Sequence, residues 1–162
     1  MKDWLPKIPD VKDIRNSPFH DSSLIDIEID PHLTRISIVV STPEPDRQER
    51  LWQIEFMGVL RFEYQTRGDG SDGSGPPVEI YEIYEDRKSQ ERRWWVDRLK
   101  VLGASPADAE KVHHIVLASS FISGVEKRES LQGMEVICRV ANVSYAPGKY
   151  KLRSSRLLAG DE

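Results

Sequence analysis

From Leu51 to Gln65 the chain alternates in a way that leaves little freedom. Trp52, Ile54 and Phe56, then Gly58, Leu60, Phe62 and Tyr64, recur at every second position. Period 2 sustained over that length is a strand signature and has no helical reading. It predicts one long β-strand with a single apolar face. Such a strand must bury that face in a sheet with neighbours. Gly58 stands midway, where a residue without a side chain marks a bulge or a sharp twist.

The remaining segments supply the neighbours. Ser23–Ile29 alternates Ile25, Ile27 and Ile29 with Leu24, Asp26 and Glu28, and Thr34–Val40 is β-branched and apolar. Asp30-Pro31-His32 between them is a turn signal, so the two runs predict a hairpin. A fourth strand is expected from Val78 to Tyr84, and a last one from Met134 to Tyr145 with Met134, Val136, Cys138 and Val140 on one face. The apolar parity of that last run changes at Val143 and Tyr145, which predicts a bulge near Ala141-Asn142. The period changes after Asp86. From Arg87 to Leu102, the residues Trp95, Leu99 and Leu102 share a helical face, and Gly103 supplies a stop. Ser105-Pro106-Ala107-Asp108 reads as an N-cap, a proline at the first helical position and an acid in the first turn, opening a short helix over about 106–112. Residues 113–121 fit either helix or strand, and β-prone Ile115-Val116 favours strand.

The expected fold class is therefore α+β, mainly β. It is an antiparallel curved sheet or sandwich of six to seven strands, with one or two helices (about 87–102 and 106–112) packed at one side. Sandwich and half-open barrel both satisfy the pattern. Residues 1–162 read as one domain. Pro6, Pro9 and Pro18 make 1–18 an extended arm anchored by Trp4, Leu5 and Ile8, residues 67–77 read as a flexible Gly/Ser loop, and 157–162 as a disordered tail.

Charge and cysteine content narrow the function classes. The chain carries 23 basic and 27 acidic residues, a net of -4. Residues 1–86 hold 9 basic and 18 acidic (net -9), whereas 87–162 hold 14 and 9 (net +5), so the two halves attract each other if they interleave in one sheet. An acidic chain argues against nucleic acid as the partner. Lys149–Arg156 is basic but has a single aromatic, Tyr150, too few for stacking on single strands. No apolar run approaches the roughly 20 residues of a membrane helix, and Met1–Pro6 has no signal-peptide core. The one cysteine, Cys138, cannot form an internal disulfide, which points to the cytoplasm.

Few side chains suggest chemistry. His20-Asp21 and His113-His114 are candidate polar sites, since an imidazole beside a carboxylate can hold a metal or a base. Paired histidines on a strand face opposite ways, so one of His113 and His114 at most joins a shared site. With His32 and Cys138 they match no compact metal spacing, and neither a metal nor another cofactor is expected. Cys138 reads as a buried, inert thiol. Asp69 and Asp72 in the Gly/Ser loop lack calcium-loop spacing, and Arg67-Gly68-Asp69 and Asn142-Val143-Ser144 are chance matches. Trp94-Trp95 is the notable surface signal. Trp95 buries with Leu99, which leaves Trp94 at the boundary with Arg87, Arg98 and Glu91, and Trp and Arg are residue types enriched where proteins bind each other.

Phe19-His20-Asp21-Ser22-Ser23-Leu24 followed by Ile25–Ile29, together with His114–Phe121 and Glu135–Val143, resembles a recurring outline of small bacterial β-rich proteins, some of them similar to immunity proteins of bacterial toxin systems. The resemblance covers about half of the chain. The proline-rich arm, the Gly/Ser loop and the Trp-Trp helix lie outside it. It implies a cytoplasmic binding protein and carries over no catalytic residue.

The leading expectation is thus a non-enzymatic cytoplasmic protein-binding module of immunity-like kind, whose partner is another protein or a second copy, with strand edges open for pairing. Two alternatives stand beside it. One is a small-molecule- or metal-dependent enzyme using His20 and Asp21 with His113 or His114. The other is a structural subunit of a homo-oligomer.

Overall fold

A computed structural model describes residues 5–32, 34–43, 49–64, 79–80, 82–118 and 133–149. The strands are β1 (Ser22–Ile29), β2 (Arg35–Pro43), β3 (Glu49–Tyr64), β4 (Glu79–Ile80), β5 (Glu82–Glu85), β6 (His113–Ala118) and β7 (Gly133–Tyr145). The helices are α1 (Gln90–Val101) and α2 (Pro106–Ala109). The strands form one antiparallel sheet in the order β4-β1-β2-β3-β7-β6-β5, and the fold is α+β, mainly β. β1–β3 from the acidic half and β6–β7 from the basic half share this sheet, the interleaving that the charge asymmetry favours.

The expected fourth strand is two pieces on opposite ends of the sheet. β4 pairs with β1, β5 pairs with β6, and a single residue separates them. Two residues of chain span at most about 7 Å. The sheet must therefore curl until its ends meet, which selects a curled sheet over two separate layers. Its interior is filled by Leu24, Ile36, Ile38, Val40, Ile54, Phe56, Ile83, Ile115, Leu117 and Val136, drawn from every strand but β4. Each fully buried Ile or Phe contributes about 1.5–3 kcal/mol of transfer free energy.

Two register shifts correct the simple alternation. In β1 the pairing with β2 slips between Leu24 and Asp26. Leu24 and Ile27 consequently face the interior, Ile25 packs outside with Val39, Leu51 and Ala146, and Ile29 is exposed. In β3, Gly58 adopts φ +61° and the pairing with β7 slips between Val59 and Arg61. Val59 and Phe62 then point inward, and Leu60 turns out beneath α1. The parity change in β7 is real, since Cys138 and then Ala141 and Val143 face the interior. It is accommodated at Gly58 and Leu60 of the partner strand, because β7 pairs with β3 without a shift from Val140 to Tyr145.

The helices cap as their sequence requires. Ser89 caps α1 by accepting from Arg92 N at 3.0 Å, which starts the helix at Gln90, and Gly103 ends it with φ +102°. Ser105 accepts from Asp108 N at 3.2 Å, but α2 stops at Ala109. Arg92 binds the carbonyls of Glu110 and Val112 at 2.8 and 2.9 Å and so holds the chain open into β6. Val96, Trp95, Leu99, Ala109 and Val112 pack over Leu60 and Ile137 on the outer face of the sheet. Leu102, expected on that face, is at the cap and exposed, and Val96 takes its place.

The arm is extended only in part. Ile8 packs on the interior cluster, Glu85 N donates to Pro9 O at 2.8 Å, and Val11–Asn16 forms a 3-10 turn. The β5 edge, expected to be open, is therefore partly covered by the arm. Trp4, the 67–77 loop with Asp69 and Asp72, residues 119–121, the basic segment after Lys149 and the 157–162 tail lie outside the described residues.

Candidate functional site

The side chains able to do chemistry gather around β5, β6 and the first turn of α1. Three of the four histidines meet glutamates, each a different one. His20, in the turn before β1, has Nδ1 2.5 Å from Glu82 Oε1 and Nε2 3.4 Å from Asp21. Asp21 itself has φ +56°, a left-handed position that Asp tolerates in a turn. Glu82 raises the His20 pKa from its ordinary 6.5, and Asp21 adds to it against the effect of burial. His113 lies on the interior face of β6 with Nδ1 2.7 Å from Glu85 Oε1. Burial raises the Glu85 carboxyl, but His113 and Arg87 outweigh it and the net shift is downward.

His114 faces the other way, towards α1. Its Nδ1 is 2.7 Å from the Ser89 hydroxyl that caps the helix. Its Nε2 is buried without a hydrogen-bond partner, 3.8 Å from Glu135 Oε2. That distance is too long for a hydrogen bond. In its protonated form the imidazole holds the Glu135 carboxyl below its ordinary value, more than burial raises it. Glu91 enters from the first turn of α1, so that ligand atoms of Glu91, His114 and Glu135 lie within 4.8 Å of one another. Arg61 on β3 bridges Glu91 and Glu63, the latter at 2.5 Å.

The structure thus separates what sequence reasoning grouped. His20 with Asp21, His113 and His114 occupy three different carboxylate environments. Of the residues set beside Trp94, Glu91 turns towards the sheet, and Arg87 lies 3.5 and 3.7 Å from Glu85 and Asp10. Arg98 stays exposed one turn along from Trp94. Sequence reasoning missed Glu82, Glu85, Glu135 and Arg61. The alternation around Glu135 marks its outward face, but the residue opposite follows only from the β6–β7 register. His32 is exposed in the first hairpin, where its N–H donates to Asp30 at 2.8 Å. Cys138 is fully buried, and burial, with the Glu85 charge adding to it, pushes its thiol up to about 12.

A second feature sits on the outer side of α1. Trp94 is 57% exposed, Val101 76% and Leu102 66%. Trp94, Arg98 and Val101 fall at i, i+4 and i+7, one stripe of the helix. The Trp94 ring is held edge-on against Trp95 with centroids 5.0 Å apart.

Fold and site together define a mainly β, α+β protein whose curled sheet carries a polar cluster beneath one helix. No helix among the described residues is long and apolar enough to cross a membrane. Comparison with protein families and with curated proteins gives no match. A solved structure, of an uncharacterized protein from Neisseria gonorrhoeae, is similar at a TM-score of 0.46 and 15% identity, covering 79% of this chain and 94% of that one.

Proposed function

We propose that the protein is a non-enzymatic, cytoplasmic binding module that docks another protein on the outer stripe of α1. The observation that carries this reading is the exposure of Trp94, Val101 and Leu102 together on one helix. Single exposed apolar residues are ordinary, but an exposed tryptophan followed two turns later by two exposed aliphatic side chains is a composition suited to a binding stripe. The Trp95 ring restrains Trp94, which lowers the entropy lost on docking. Exposed Arg93, Arg98 and Lys100 outnumber Asp97 around the stripe. The partner this chemistry fits presents an apolar recess rimmed by carboxylates. The immunity-like version of the reading makes that partner a bacterial toxin domain. The buried, unpaired Cys138 supports a reducing compartment.

The test compares the wild-type chain with Trp94→Ala. Tagged chains are used to capture proteins from native lysate, and the captured protein is then purified and titrated by calorimetry. The expected loss for Trp94→Ala is about 2 kcal/mol or more, roughly 30-fold in affinity. Its stability should change by no more than about 0.5 kcal/mol. Equal binding by both chains, or a large loss of stability with binding intact, overturns the assignment. A concentration-dependent mass abolished by Trp94→Ala replaces the foreign partner with a second copy of this chain.

A further inference from the structure

We propose that His114, Glu135 and Glu91 form a binding site for one divalent transition-metal ion, Zn2+ by first choice, beneath the first turn of α1.

The argument starts from His114. The residue is only 5% exposed, and its Nε2 has no hydrogen-bond partner. Leaving a buried polar atom unpaired is destabilising. The other ring nitrogen is already placed, 2.7 Å from Ser89 Oγ. With Nδ1–H donating to that hydroxyl, Nε2 carries the lone pair and lies 3.8 Å from Glu135 Oε2. This is the arrangement of a metal-binding histidine, whose second nitrogen is fixed by an outer partner. Ser89 is in turn fixed by capping α1, where it accepts from Arg92 N.

The geometry is close to what an ion needs. One ligand atom from each of the three residues lies within 4.8 Å of the others. Ligands bonded to one zinc at about 2.0–2.2 Å sit roughly 3–4 Å apart, so a modest contraction completes the site. Glu91 and Glu135 are only partly buried and have room for it. The ligands come from rigid elements. His114 and Glu135 are diagonal neighbours on adjacent strands β6 and β7, and Glu91 descends from the helix.

Charge points the same way. Glu63, Glu91 and Glu135 surround a single guanidinium, that of Arg61. Three carboxylates and one guanidinium leave two negative charges, which a divalent ion neutralises. On binding, Arg61 keeps Glu63 and yields an oxygen of Glu91. Cys138 faces the interior, so the donors are one nitrogen and carboxylate oxygens, which suit Zn2+ or Mn2+ over soft monovalent ions. Three protein ligands leave a position for water.

The experiment uses the full chain stripped with EDTA, titrated with Zn2+ by calorimetry and with Co2+ by visible absorption. The expected result is one ion per chain and a raised melting temperature. Loss of an outer partner typically costs 10–100-fold, so Glu135→Gln and His114→Gln should each weaken binding by more than about 100-fold. Glu135 is partly exposed, so Glu135→Gln decides the matter even where His114→Gln fails to fold. Arg61→Gln should tighten binding several-fold by releasing Glu91, an effect a purely structural cluster does not produce. The proposal is overturned by the absence of one-to-one binding up to millimolar ion, by binding that survives Glu135→Gln unchanged, or by a Co2+ spectrum with a thiolate band.

Discussion

Gly58→Ala tests the hinge on which the long strand depends. Two costs follow from the structure. Gly58 has φ +61°, and holding an alanine in that left-handed region costs about 1–2 kcal/mol. An added Cβ would also meet Arg139 Cβ and Cγ at 2.8 Å. Carbon atoms prefer about 3.5–4.0 Å, and overpacking of this kind costs about 1–3 kcal/mol. The Arg139 chain cannot swing wholly clear, because its Cβ is fixed to β7 and its guanidinium is tied to Asp108 O at 2.6 Å. The sum centres on about 3.5 kcal/mol, or a fall of about 7–14 °C in melting temperature for a chain of this size. Urea unfolding followed by tryptophan fluorescence should give a lower midpoint with an unchanged slope. Arg139→Gly removes both close contacts and leaves only the backbone cost. The double-mutant cycle should therefore return a coupling of about 1–3 kcal/mol. A loss below about 1 kcal/mol for Gly58→Ala, or zero coupling with Arg139→Gly, refutes the account of how β3 and β7 change parity together.

Two further outcomes are expected. The His20 pKa is raised in the fold, so the His20–Glu82 pair stabilises fully below pH 6.5 and its contribution is lost as pH rises through the elevated value. Unfolding midpoints measured across that window should fall with pH in the wild type and flatten there in Glu82→Gln; an unchanged slope removes the pair as a contributor. Cys138 is buried with its thiol at about 12, so a chromogenic disulfide reagent at pH 8 should leave the native chain unlabelled and label it fully in urea. Rapid labelling of the native chain contradicts the placement of Cys138 in the interior.

The legible part of the fold is what local pattern alone determines. Alternation in β3 as far as Phe56 and the turn at Asp30–His32 depend on neighbours in sequence, and both hold. So does the Ser105 cap, which bonds its own first turn, whereas Ser89, inside the span expected to be helical, is the cap of α1. Alternation fails where one strand slips against another. The inward set of β1 is Leu24 and Ile27 rather than the three isoleucines, because β2 fixes the register and Ile25 is the residue left over. The parity change in β7 is visible in the sequence, but its cause is a glycine some eighty positions earlier on the strand beside it. The division of 79–85 between two sheet ends is likewise set by curvature, to which no local pattern responds.

The same reasoning explains why the polar cluster was the least legible feature. A compact metal motif places its ligands on one turn or one strand, where spacing reveals them. Glu91, His114 and Glu135 lie far apart in sequence, on a helix and two strands, and meet only through the β6–β7 register and the seating of α1. His114 was separable from His113 by strand parity alone, which assigns them opposite faces. What parity withheld was the difference in surroundings: His113 finds a carboxylate at hydrogen-bond distance, whereas His114 is buried with one nitrogen satisfied by the helix cap and the other by nothing. The two proposals then call on separate faces of α1. Val96, Trp95 and Glu91 fasten the helix over the sheet and its polar cluster, while Trp94, Arg98 and Val101 are left outside. A variant of the outer stripe should therefore leave ion binding intact, and a variant of the cluster should leave Trp94 exposed and competent to dock.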